Sequence, residues 1–132
     1  MPPRNVRLQR VGARSASPKC GLVPNLAGWH RERLPKVPDV AYFELAPDWI
    51  CEILSPSTAV LDRTYKLTSY ARERVGHVWL LDPKLRTLEV LELDMSSEPA
   101  RWRIVQTFER NNNVRAVPFD AIELKLGRLW DL

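Results

Sequence analysis

Cysteine and histidine are scarce in this 132-residue chain, two of each, and their placement excludes several chemistries. Cys20 and Cys51 match no metal-ligand or redox spacing, and Cys51 lies in an apolar run, so no disulfide framework is expected. His30 and His77 stand outside any ligand pattern and read as structural or surface residues. The five glycines are scattered and form no phosphate-cradling loop. Ser55 and Ser57 lack a recognisable base partner, which leaves a serine hydrolase without support. No apolar stretch approaches the roughly 18 residues that span a bilayer, and the opening Met-Pro-Pro-Arg-Asn lacks the apolar segment of a secretory signal. A cytoplasmic protein without membrane contact is expected; the arginine-rich opening resembles an organelle transit peptide in composition but shows no helical stripe.

Acidic residues are missing from the front of the chain. Residues 1–36 hold eight Lys and Arg against the single acid Glu32, whereas the remainder carries twelve bases and fifteen acids. The formal net charge of +4 is therefore an N-terminal property, suited to nonspecific phosphate affinity at low salt. Prolines at 2, 3 and 18 in a polar context predict a poorly ordered basic segment over residues 1–21 and one packed domain over 22–132.

What is present reads as an α/β pattern. Leu22 to Ala27 is strand-like, and a proline-punctuated loop from Pro35 to Pro47 holds a helical turn at Tyr42 to Leu45. Trp49 to Leu54 is a buried strand. Apolar positions at 60, 61, 67, 70, 71 and 75 predict an amphipathic helix over 60–75, stopped by Gly76. His77 to Asp82 follows as a second buried strand, so strand, helix and strand predict a parallel crossover. Thr87 to Leu93 and Arg101 to Phe108 pair as antiparallel strands, a short strand lies near 114–117, and a terminal strand with a last helical turn occupies 121–132. The five tryptophans read as packing residues.

Glu52 is the chemical anomaly. It is the lone acid in Trp49-Ile50-Cys51-Glu52-Ile53-Leu54, and period-two alternation places it on the face of Ile50 and Leu54. An ionised carboxylate there costs several kcal/mol unless donors meet it. It is either a site residue at a strand's end, or a structural acid paired with an arginine or exposed on an edge strand. Asp62, Lys66 and Tyr70 follow at four-residue intervals on one helix face. That spacing fits an ordinary Asp-to-Lys surface pair as well as a site lysine, and Tyr70 reads as core.

Linked motifs decide more. Val23-Pro24-Asn25-Leu26-Ala27-Gly28-Trp29, Pro47-Asp48-Trp49-Ile50-Cys51-Glu52-Ile53-Leu54-Ser55-Pro56-Ser57-Thr58, Asp62-Arg63-Thr64-Tyr65-Lys66-Leu67 with Tyr70-Ala71, and Val78-Trp79-Leu80-Leu81-Asp82-Pro83 occur in order. The segment from Leu22 to Trp130 thereby resembles the Uma family, grouped with restriction endonucleases in the PD-(D/E)XK nuclease superfamily. The resemblance implies a restriction-endonuclease-like mixed β-sheet with flanking helices, and hydrolysis of DNA phosphodiesters with Mg²⁺ or Mn²⁺. It implies Glu52 and the residue at 25 as metal ligands, and Lys66 as the lysine that stabilises the nucleophile or transition state. A hard cation takes oxygen ligands and stabilises charge on phosphate oxygens, which explains these residue types.

The chain departs from the family pattern in three places. Leu54 holds the superfamily's usual lysine position, and the resemblance implies Lys66 on the following helix as its counterpart. Asn25 stands where the motif has Asp and offers a neutral carbonyl oxygen; Asp39, in Pro38-Asp39, is the substitute ligand to weigh against it. Residues 1–21 do not resemble the family's front, and missing N-terminal elements would uncover sheet edge and invite a homodimer. The alternative function is a catalytically dead paralogue that binds DNA or a protein.

Overall fold

The computed structural model describes residues 6–10, 26–30, 32–33, 46–54 and 59–131. One mixed sheet organises them, in the order β1 (Val6–Arg10), β2 (Leu26–His30), β3 (Trp49–Ile53), β4 (His77–Asp82), β5 (Thr87–Asp94) and β6 (Arg101–Glu109). Every adjacent pair is antiparallel except β3 and β4, which are joined by α1 (Ala59–Arg72). The strand, helix, strand reading therefore gives the parallel crossover that the sequence predicts. Strands β7 (Asn113–Val114) and β8 (Leu124–Lys125) form a separate ribbon, and a 3-10 helix at Leu126–Asp131 follows. Among the described residues α1 is the single α-helix, and no helix is long and apolar enough to cross a membrane.

Alternation divides the core between the two faces of the sheet. Ile50, Val78, Leu80 and Leu91 meet Tyr70 and Val75 on the α1 side. Trp49, Cys51, Trp79, Leu81, Leu88 and Val90 face the other way, against Val114, Phe119 and Leu126. Burying each large aliphatic side chain contributes about 1.5–3 kcal/mol. Trp49, Trp79 and Phe119 meet edge to face with centroids 4.9 to 5.5 Å apart, and the Trp79 indole donates to the Val117 carbonyl at 2.8 Å. Trp102 on β6 donates to the Leu67 carbonyl at 2.8 Å, fastening α1 to the far side of the sheet. Trp29, Trp49 and Trp79 are buried packing residues, as expected.

Three expectations are corrected. Val6–Arg10, within the stretch read as irregular, is a strand paired along its whole length with β2; the alternation Val6-Arg7-Leu8-Gln9-Arg10 is the local signal that proline content obscured. Helix α1 ends at Arg72, not near 75, and its stop is Arg74 rather than Gly76. Arg74 takes a left-handed φ of 61°, and the Arg74 and Val75 amides donate back to the Ala71 and Tyr70 carbonyls at 3.1 Å. Gly76 has another use: its amide donates to the Asp48 carbonyl at 3.1 Å, seating β4 beside the start of β3. The helical turn expected at Tyr42 to Leu45 lies outside the described residues.

Candidate active site

Glu52 is next to last in β3, in register with Leu80 of β4. It is 5% exposed, and the strand continues by one ladder bond, from the Leu54 amide to the Leu81 carbonyl at 2.7 Å. The side chain projects to the α1 side, as the alternation predicts. Among the described residues, two partners meet it from α1. Lys66 Nζ lies 3.1 Å from Oε2, and the Tyr70 hydroxyl donates to Oε1 at 2.5 Å. Lys66 and Tyr70 are one turn apart on α1, so a single helix face supplies donors to both carboxylate oxygens.

This arrangement bears on the readings that spacing left open. Lys66 is not a solvated surface residue: its side chain is 20% exposed and meets a buried acid. Tyr70 belongs to the core, with its ring buried, and also to the site through its hydroxyl. That second role went unread because a tyrosine on an apolar stripe looks like packing; the shared four-residue spacing with Lys66 was the available signal. The side chain of Asp62 lies outside the described residues, as do Asn25 and Asp39, so neither ligand reading of the latter two is placed by the structure.

A second charged pair extends the same face. Glu52, Leu80, Glu89 and Thr107 are successive register partners across β3 to β6. Arg63 of α1 reaches Glu89 Oε2 at 3.2 Å, and sequence reading missed this pair because its partners are 26 residues apart. Cys51, beside Glu52 but on the opposite face, is no nucleophile. Burial, with a smaller contribution from the Glu52 charge, pushes its thiol up to about 12. His77 lies 3.6 Å from Glu92 at the other end of β4 and is remote from Glu52 along the strand.

The fit of a divalent cation rests on the oxygens available. Among the described residues no three His, Cys, Asp or Glu side chains come together. A carboxylate oxygen is the kind of hard donor that Mg²⁺ or Mn²⁺ takes.

Comparisons with known proteins agree with this architecture. A family model described as “Putative restriction endonuclease” matches residues 4–127, including the front that motif reading had set apart. The fold is similar to the crystal structure titled “a putative nuclease belonging to DUF820” from Anabaena variabilis, with a TM-score of 0.66 at 21% identity. That likeness covers 97% of this chain and 69% of the other. No curated protein matches.

Proposed function

The chain belongs to the Uma2 family of “Putative restriction endonuclease” proteins, and from that premise we propose that it hydrolyses DNA phosphodiester bonds at Glu52 in the cytoplasm. The observation that carries this reading is the buried Glu52 carboxylate held between Lys66 and Tyr70 at the carboxyl end of β3. Mg²⁺ or Mn²⁺ held by Glu52 and Asn25 would supply charge stabilisation to the phosphate oxygens. The protein's own groups set the frame. Tyr70 fixes Oε1 from the core side, and Lys66 fixes Oε2 while placing an ammonium charge beside the reacting phosphate, where negative charge accumulates. Leu54, Leu67 and Leu80 restrict water around the acid, which strengthens both contacts.

A second reading, a catalytically dead DNA-binding relative, is favoured by the neutral side chain of Asn25 at the motif's acidic position. Cleavage of supercoiled plasmid in Mg²⁺ or Mn²⁺ separates the two, comparing the unmodified chain with Glu52→Ala and Asn25→Asp at matched folded concentration. Hydrolysis predicts nicking by the unmodified chain, a loss of about 10²-fold or more in Glu52→Ala, and faster cutting by Asn25→Asp. Cutting by Asn25→Asp alone supports the dead relative. Cutting that survives Glu52→Ala would overturn the site.

A further inference from the structure

Beyond the Glu52 cluster, the carboxyl edge of the sheet carries an open basic depression of about 500 Å³ on the side away from α1. Arg86, Lys125 and Arg128 supply its charge, Asn111 and Asn113 its neutral donors, and Trp130 an aromatic wall. No carboxylate lines it, and among the described residues none of the three cations forms an ion pair. Three unneutralised cations in one hollow repel each other, so an anion is the ligand that the electrostatics favour.

The walls are tied together before any ligand arrives. The Arg110 amide donates to the Arg86 carbonyl at 2.9 Å, and the Trp130 indole donates to the Arg110 carbonyl at 2.7 Å. The Leu126 amide donates to the Asn112 carbonyl at 3.2 Å. A Cβ at position 127 would stand 2.8 Å from Asn111 Oδ1, so Gly127 is what lets the Asn111 amide lie against the 3-10 helix. Arg86 has φ 55°, a conformation that favours glycine or asparagine in a tight hairpin.

We propose that this depression is a phosphate-binding site that grips the DNA backbone away from the bond being cut. This rests on the reading of DNA as the substrate. The parallel register places the end of β3 and the end of β4 at one sheet edge, and Arg86 closes the turn that leaves β4. Strand β5 is two strand spacings from β3, about 10 Å. Glu52 opens on the α1 side and the depression on the other face, both at this end of the sheet, so a duplex crossing the strand ends can present separate phosphates to each.

The test is fluorescence polarisation with a labelled DNA duplex in EDTA, over a salt series from about 50 to 200 mM. The Lys125→Glu/Arg128→Glu variant is expected to lose about tenfold or more in affinity and to flatten the log–log salt slope by roughly 2. Arg86→Gly is expected to weaken binding without lowering the melting temperature, which separates a lost contact from a lost fold. Arg103→Ala, a cation outside the depression, should stay within about twofold of the unmodified chain. Unchanged affinity in the first two variants, or an equal loss in Arg103→Ala, would overturn the proposal. Binding of inorganic phosphate without DNA affinity would also overturn it, as the mark of a small-molecule anion site. Plasmid cleavage by the same variants in Mg²⁺ keeps the two readings apart. Depression-dependent binding without cleavage sinks hydrolysis alone, and cleavage with depression-independent binding sinks the depression alone.

Discussion

A carboxylate buried to the extent of Glu52 ties the stability of the protein to the donors that meet it, Lys66 and Tyr70 among them. Lys66→Met leaves the acid buried without its cation, and about 2–3 kcal/mol of stability should be lost; Tyr70→Phe should cost about 1.5–3 kcal/mol. Urea unfolding measures both. Adding Glu52→Leu to Lys66→Met should recover most of the loss, because the unpaired charge is then gone. Full additivity of the single changes would refute the coupling. At this scale the sequence was legible where a residue contradicted its surroundings: one acid among aliphatics announced Glu52. It was illegible where a residue agreed with them. Tyr70 satisfied the apolar stripe, so nothing local disclosed its hydroxyl contact, and Arg63 and Glu89 met only because four strands set them side by side.

Helix α1 ends at a residue poorly suited to its conformation. An L side chain at φ 61° is strained, whereas glycine is at ease there, so Arg74→Gly should raise stability by about 0.5–1 kcal/mol despite glycine's greater freedom when unfolded. A rise in the urea midpoint at constant m-value would bear this out, and a fall would show that the Arg74 side chain contributes more than the strain costs. The apolar periods of α1 and of β3 to β6 marked these elements within a few residues, since burial on one face imposes the pattern. The helix stop escaped because a nearby glycine looked sufficient, while termination was decided by backbone bonds to Ala71 and Tyr70 that leave no composition signal.

Across the whole molecule, His77 makes stability depend on pH. Desolvation lowers its pKa below the ordinary 6.5, outweighing the opposing pull of Glu92 and Asp120, with the charge of His30 adding to the lowering. The unfolded chain therefore binds the proton more readily, and stability present above pH 6.5 is lost as pH falls through 6.5 towards the folded pKa. Chemical unfolding between pH 7.5 and 5.5 should show this decline, and His77→Gln should flatten it. An unchanged slope would place the dependence elsewhere. The mixed α/β class was legible because one crossover helix between two buried strands permits few topologies; the β1 edge was not, because pairing with β2 joins segments separated by residues 11–25. Strand order in the sheet equals strand order in the chain, and this has a consequence for biosynthesis. A ribosome releases the amino end first, so each new strand emerges beside an edge made moments earlier, and the sheet can grow by accretion without waiting for a distant partner. The acid of β3 is then translated before the lysine and tyrosine that shelter it, and the nascent chain passes through a stage in which Glu52 still faces water.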